Sequence, residues 1–492
     1  MKVLIVASEN SPYAQVGGLS QAISFLARAI AKQGTDTRVF MPKYGVIDSK
    51  KYPMEMVIEK LAVPTGHGKK NKKFPSELIC NVKYRANDEF YAPTYFLENK
   101  EYFELRANVY GYSDEHIRFA LLSLGALEWI LQSKKRGGWV PDVIHGNDWH
   151  AGYLIEAIKK NPRYKKELAG IKVLYTVHNF RHQGNMNFRY ADRQDTGLRE
   201  MYPLFDPKMR TLNPMLRGIM NADRVNTVSK HHAQEVQTKE YGEGLDVFLR
   251  KYAYKLSGIA NGIDTTEMNP ETDKNITVPF SSRNISERLV NKAALQKYFR
   301  LPVAADVPIF GYIGRLAPQK GIEIILEVLE HIESLPKCQF IFLGSGAENY
   351  YEEIKKMTER YPTRVAAFLQ RDFVIPRKIF AGADFLLVPS LFEPGGIVAM
   401  EALRYGCVPI VADTGGLSET VQGFDINTRT GNGFLHAPKD VYGFLVALIT
   451  ALSVFQDKDA WQSIVKNAMV CDFSWDKTAL HYIDLYKQML RK

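Results

Sequence analysis

With 492 residues, 46% of them hydrophobic and 24% charged, the chain has the balance of a globular protein with more than one core. Its four cysteines, Cys80, Cys338, Cys407 and Cys471, show no CxxC pair or metal-ligand spacing, which argues against a zinc ribbon or a disulfide scaffold and suits free buried thiols. The net charge of +10 suits an anionic partner. Its one compact basic run, GHGKKNKKF (66–74), reads as a solvated loop without base-reading motifs, so a small phosphorylated substrate is expected rather than nucleic acid.

The first strand is expected at VLIVAS (3–8). Its apolar run is too short for a signal peptide or a membrane span and closes on Glu9, so a cytoplasmic protein without a membrane partner is expected. SENSPYAQVGG leads into a helical pattern, LSQAISFLARAIAKQG (19–34), and Gly17-Gly18 places backbone amides where they can approach a phosphate. No Lys or Arg lies in that loop. TRVFMP (37–42), the helical DEHIRFALLSLGALEWILQ (114–132), DVIHGN (142–147), KVLYTVHN (172–179) and RVNTVS (224–229) continue the alternation. The strands are apolar throughout rather than alternating, as in parallel sheets covered on both faces. A polar, aperiodic stretch follows, and a linker is expected at 261–305. The rhythm resumes with PIFGYIGRL (308–316), QFIFLGSG (339–346), DFLLVPS (384–390) and PIVADTGG (409–416), and an amphipathic helix closes the chain at 475–492. Two Rossmann-like, doubly wound α/β domains, 1–260 and 306–474, are the economical interpretation.

Ligands of such sheets bind beyond the carboxyl ends of strands, where SEN, HGNDWH, VHNFRHQG, GRLAPQK and SLFEPGG all fall. GRLAPQKG supplies Arg315 and Lys320, spaced so that both head groups can converge on one phosphate pair; alone, such a pair is most often solvated. Glu393 precedes a helix expected to begin near Gly396, whose first amides, at Gly396, Ile397 and Val398, favour an anion. Glu401 lies eight residues on, roughly on the same helix side. His145, Asp148 and His150 leave a strand rather than one helix face, so no zinc site of the HExxH kind and no metal is expected. Tyr110 and Trp149 either stack on a sugar or pack in the core.

Taken together and in order, NDWH after His145, TVHNFRHQG, ANGIDTTEMNPETD, IGRLAPQKG, VPSLFEPGG and ADTGGLSETV resemble the bacterial glycogen and plant starch synthases, glycosyltransferase family 5. The likeness runs from Glu9 to the closing FSWDKTALHYIDLY. It implies the GT-B fold, two Rossmann-like domains facing across a cleft, with the acceptor on the N-terminal side and the final helix crossing back. It implies transfer of glucose from a nucleotide sugar, usually ADP-glucose, to the non-reducing end of an α-1,4-glucan, with retention and without a cofactor. In that family the counterpart of Glu393 is the essential carboxylate, His178 reaches the donor glucose, and Asp148 matches an acidic residue needed near a sugar. Glu9, Asn179 and Asn261 match sugar-binding positions. The Glu393–Glu401 spacing follows the wider retaining GT-B enzymes, whose second Glu holds the ribose.

Family 5 normally carries Lys where this chain has Gln15 and Asp where it has Gln21, and EPCG has become EPGG. Arg371 falls in the 368–373 window that elsewhere holds an aromatic against adenine. Two alternatives therefore stand beside the synthase: a retaining transferase using UDP-glucose or another acceptor, and a weakly catalytic glucan-binding or priming protein. Retention of Arg315, Lys320, Glu393 and His178 together argues against the last.

Overall fold

The computed structural model describes residues 1–88, 91–184 and 201–491. Its first strand, β1 (Lys2–Val6), lies parallel between β2 (Asp36–Pro42) and β6 (Val143–Asn147). Successive strand side chains point to opposite faces, and both faces are covered. Leu4 and Val6 enter one core with Phe40 and Ile144, whereas Val3 and Ile5 enter another with Ile23, Leu26 and Ile30 of the helix Gly18–Lys32. That is why the run is apolar without alternation.

The chain divides into two units, Met1–Ala260 with Trp475–Lys492, and Asn261–Ser474. In the first, a nine-stranded sheet runs β3 (Glu55–Pro64), β4 (Glu77–Arg85), β5 (Thr94–Glu98), β2, β1, β6, β7 (Lys172–Val177), β8 (Arg224–Thr227), β9 (Leu256–Gly258). Pairing is parallel except for β3–β4 and β4–β5. The hairpin β3–β4 carries the basic run at its tip, where His67, Phe74 and Phe205 stack. Its first strand is largely exposed, so it lacks the apolar signature that marks the buried strands.

The second unit holds a six-stranded parallel sheet: β12 (Val365–Phe368), β11 (Gln339–Leu343), β10 (Ile309–Ile313), β13 (Phe385–Val388), β14 (Val408–Ala412), β15 (Phe434–His436). Counted from its own first strand this is the order 3-2-1-4-5-6 of doubly wound nucleotide-binding sheets. Residues 261–305 are built into this unit. The helix Arg288–Tyr298 contributes Leu295 to its core, and Asn291 Oδ1 accepts the amides of Thr277 and Val278 at 2.9 and 3.1 Å.

The closing helix, Trp475–Leu490, buries Trp475, Ala479, Tyr482, Ile483, Tyr486 and Met489 against the face of β1 that carries Val3 and Ile5. Spacings of three and four place them on one stripe, each large apolar side chain contributing roughly 1.5–3 kcal/mol once removed from water. Among the described residues no single helix is long and apolar enough to cross a membrane.

Candidate active site

In an open parallel sheet, a crevice opens where the strand order reverses, because connections on either side leave in opposite directions. In the first unit that point lies between β1 and β6, and in the second between β10 and β13. Glu9 follows β1, Asp148 follows β6, and His178 follows the adjacent β7; Arg315 and Lys320 follow β10, and Glu393 follows β13. Chain topology thus places each of these residues at the carboxyl edge of its sheet.

Glu9 is buried at 3% exposure, and both of its carboxylate oxygens accept hydrogen bonds. Oε2 accepts the amides of Val16 and Gly17 at 2.6 and 3.1 Å, and Oε1 accepts the Tyr110 hydroxyl at 2.6 Å. These bonds tie Glu9 to the glycine loop and leave one acceptor site on Oε1 for the sugar hydroxyl expected there. The same bond occupies the Gly17 amide, which was expected to face a phosphate. Gln15, in the family's lysine position, donates to Ser11 Oγ at 2.6 Å and belongs to the loop's own framework. Gly17 and Gly18 are exposed, have no positive φ, and a Cβ on either would meet nothing within 4 Å. The fold itself does not demand glycine there, so the empty space suits an incoming group. Gly18→Ala is expected to leave stability within about 0.5 kcal/mol of the parent while glucosyl transfer falls at least tenfold. Thermal melting and steady-state rates check it; unimpaired transfer would remove this loop from the site.

Asp148 adopts φ 52°, a conformation that costs a non-glycine residue about 1 kcal/mol or more, and it aims Oδ1 at the His178 amide, 2.7 Å away. Burial pushes its carboxyl up to about 7, against the lowering effect of the His178 and Asn179 amides. Burial also holds His178 down at about 4, so its ring is neutral at pH 7. The tautomer follows from Asn147, whose Nδ2 donates to the carbonyls of His145 and Val6 at 3.1 and 3.4 Å. Asn147 Oδ1 must then accept from His178 Nε2, 3.0 Å away, leaving the His178 Nδ1 lone pair as an acceptor. Asn179, half-buried beside it, accepts the Arg181 amide at 3.0 Å.

Asp148 gives a pH signature. Its ordinary value of 3.8 rises to about 7 on folding, so between these the folded state keeps a proton the unfolded state has released. The contribution is fully present below about pH 4 and lost as pH rises through about 7. Asp148→Asn is expected to remove this slope, so the variant gains stability relative to the parent as pH rises across that window. Denaturant melts of both proteins at a series of pH values check it, and parallel curves would contradict it.

In the second unit Lys320 Nζ forms an ion pair with Glu393 Oε2, and Ser390 Oγ donates to the same oxygen at 3.3 Å. Gln319 ties the two loops together. Its carbonyl accepts the Leu391 amide at 2.9 Å, Nε2 donates to the Phe392 carbonyl at 3.2 Å, and Oε1 accepts from Arg315 Nη2 at 3.0 Å. The ADTGG loop fixes the backbone beneath: Gly416 donates to the Glu393 carbonyl at 2.9 Å, and a Cβ on Gly415 would lie 2.2 Å from that oxygen. Asn261 joins this cluster, with Nδ2 lying 3.6 Å from where a Cβ on Gly395 would sit. The helix Ile397–Arg404 begins after Gly396, and the amides of Gly396, Ile397 and Val398 precede the first turn's internal bonds.

Several expectations shift. Glu393 lies before this helix, so it shares no helix face with Glu401, which is half-buried and has its carboxyl raised to about 7 by burial. Trp149 is a core residue at 6% exposure, edge-on to Phe119. Tyr110 is the Glu9 partner and stacks on His150 rather than standing free. His145 bonds Tyr486 and Thr176 at 2.8 and 2.7 Å in the core. Arg371 lies 5.0 Å over the exposed ring of Phe373. Among the described residues no group of His, Cys, Asp and Glu is arranged to hold a metal. Sequence reasoning missed Asn147, Gln319 and Ser390; the motifs contain them, but their partners appear only after folding.

Residues 2–251 match the family model described as starch synthase catalytic domain, and 296–467 match glycosyl transferases group 1. Over its whole length the chain is 37% identical to a glycogen synthase of Desulforamulus reducens, covering 99% of that protein. It is 35% identical to one of Bacillus anthracis, covering both chains fully. The structure is similar to the catalytic domain of starch synthase IV from Arabidopsis thaliana bound to ADP and acarbose. The TM-score there is 0.82 at 29% identity, over 100% of this chain and 99% of that one. A sucrose-phosphate synthase of Thermosynechococcus elongatus, at 19% identity and TM-score 0.57 over 100% and 99% of the two chains, shares the fold.

Proposed function

Since the chain belongs to the glycogen and starch synthase family of glycosyltransferases, we propose that it uses ADP-glucose and transfers with retention, through the residues gathered at these two sheet edges. The fold is GT-B, and the protein is a glucosyltransferase that extends a glucan. The donor is drawn from the family and from the ADP held by the Arabidopsis relative.

The observation that carries the residue assignment is the Lys320–Glu393 pair at the reversal point of the second sheet. Breaking a glucose–phosphate bond leaves negative charge on the diphosphate and positive charge on the sugar, so a cation and a carboxylate side by side match both products of that separation. Lys320 and Arg315 take the diphosphate, assisted by the amides of Gly396, Ile397 and Val398. Glu393, released by Lys320 as the phosphate replaces it, faces the oxocarbenium-like carbon. His178 offers Nδ1 to a sugar hydroxyl, Asn261 and Asn179 orient the glucose, and Glu401 holds the ribose. Glu9 acts through the glycine loop that it fixes, and Asp148 through the backbone of His178. The absence of a cation in the glycine loop is met by Arg315 and Lys320. A cytoplasmic location belongs to the same reading.

Nucleotide release from ADP-glucose and from UDP-glucose, each with and without glycogen, tests it. Glycogen-dependent ADP release, faster than UDP release, is expected. Faster release from UDP-glucose would overturn the donor, and no glucan-dependent release from either would overturn the synthase reading.

A further inference from the structure

The second unit contains a cavity of about 500 Å³ that the transfer reaction does not use. It is lined by residues 282–286, 288, 289 and 292, by Gly382 with Asp384, and by Trp461, Gln462 and Lys466 of the helix Lys458–Met469. Asp384 immediately precedes β13, whereas Glu393 follows it, so the cavity opens at the amino edge of the sheet that carries the catalytic loop on its carboxyl edge. Its volume is that of a small-molecule site rather than a macromolecular groove.

The charge balance inside it is one-sided. Asp384 is the single acid in the lining, and it is neutralised: Oδ2 pairs with Lys292 Nζ at 2.8 Å and accepts the Ile309 amide at 2.8 Å. Lys292 is spent in return on Asp384, on the Ala305 carbonyl at 2.9 Å and on the Phe455 ring at 4.8 Å. Arg283 and Lys466 are left facing no acid among the lining residues, whereas Asp384 lies close enough to Arg288 to favour its charge. Arg288 is 6% exposed; Nη2 donates to the Ala383 carbonyl at 2.5 Å, but its buried Nε has no partner among the described residues. A buried guanidinium with an unmet N–H is costly in isolation and favours an incoming anion. Around these cations stand Asn284, Ser286 and Gln462, which suit hydroxyl groups, and Trp461, which gives an apolar wall.

We propose that this cavity is a second binding site, distinct from the transfer site, for a phosphorylated monosaccharide. The phosphate meets Arg288, Arg283 and Lys466, and the sugar hydroxyls meet the polar rim. Fructose 6-phosphate is the probe, titrated calorimetrically into the full chain saturated with ADP so that the diphosphate site is filled. One-to-one binding is expected, weakened at least tenfold in the exposed double variant Arg283→Glu/Lys466→Glu, whose melting temperature and ADP affinity stay at the parent values. Arg288→Gln is expected to weaken it further. Absence of binding, equal binding of fructose, equal binding of inorganic phosphate, or binding unchanged by the double charge reversal would each overturn the assignment. The measurement reads binding alone, so it succeeds or fails independently of the donor assigned above.

Discussion

Glu393→Ala is expected to lower kcat for glucosyl transfer by about 10³-fold or more, a loss of roughly 4 kcal/mol in transition-state stabilisation. In the proposed mechanism the carboxylate is the negative charge that the second sheet edge offers to a developing oxocarbenium ion, and alanine leaves that ion uncompensated. Folding is expected to survive. The loop is held through the Glu393 carbonyl, which accepts the Gly416 amide, and not through the side chain. The ion pair with Lys320 is partly solvated, with side chains 21% and 14% exposed, so its loss costs about 1 kcal/mol or less. ADP affinity is expected to be unchanged or slightly improved, because Lys320 no longer has to leave a carboxylate to reach a phosphate. Glu393→Gln separates charge from shape, since the amide keeps the size and can still accept from Ser390 Oγ. Steady-state rates and ADP titration check both variants. A glutamine enzyme with a tenth or more of the parent rate would show that the charge is not what Glu393 supplies.

Lys320→Ala is expected to have the complementary signature, with kcat/KM for the nucleotide sugar down by about 10²–10³ and ADP bound more weakly as well. In the proposed mechanism the ammonium meets the diphosphate both in the leaving group and in the product, so binding and rate both fall, whereas Glu393→Ala lowers rate without weakening ADP binding. Lys320→Arg is expected to restore only part of the loss, because a planar fork cannot take the place of a compact point charge in the turn Pro318–Lys320. Product inhibition by ADP is the discriminating measurement: an inhibition constant unchanged in Lys320→Ala would remove this lysine from the diphosphate site.

Legibility in the sequence tracked burial and chain distance. Buried parallel strands such as β1, β7 and β13 were readable because both of their faces must be apolar, which leaves an unbroken run of Val, Ile, Leu and Phe. The exposed β3 and the three-residue β9 carried no such run, although each pairs with its neighbour in strand order. Strand-end polar clusters stood out as a candidate site because SEN, HGNDWH and FEPGG are unusually polar continuations of apolar strands. What each cluster member does was less readable. Glu9 matched a sugar-binding position, but its bonds to the Val16 and Gly17 amides and to Tyr110, 101 residues away, were not legible. Glu401 kept the expected spacing from Glu393, but the helix begins only at Ile397, so spacing alone did not place them on one face.

Taken by itself, the chain's order of apolar runs, glycines and polar strand ends determined two doubly wound units, since periodicity and local backbone demands are written residue by residue, and its motifs carried the family resemblance. Tertiary structure alone decided which oxygen holds which amide: Glu9 on Gly17, Asp148 on His178, Asn147 fixing the His178 tautomer, and Lys320 on Glu393. It also decided that Asp384 is neutralised while Arg288 keeps an unmet N–H. The reason is physical. Most of these contacts join residues that follow strands adjacent in the sheet but distant in sequence, the Glu9 loop is fixed by backbone geometry that no residue pattern spells out, and protonation depends on burial that no local pattern records.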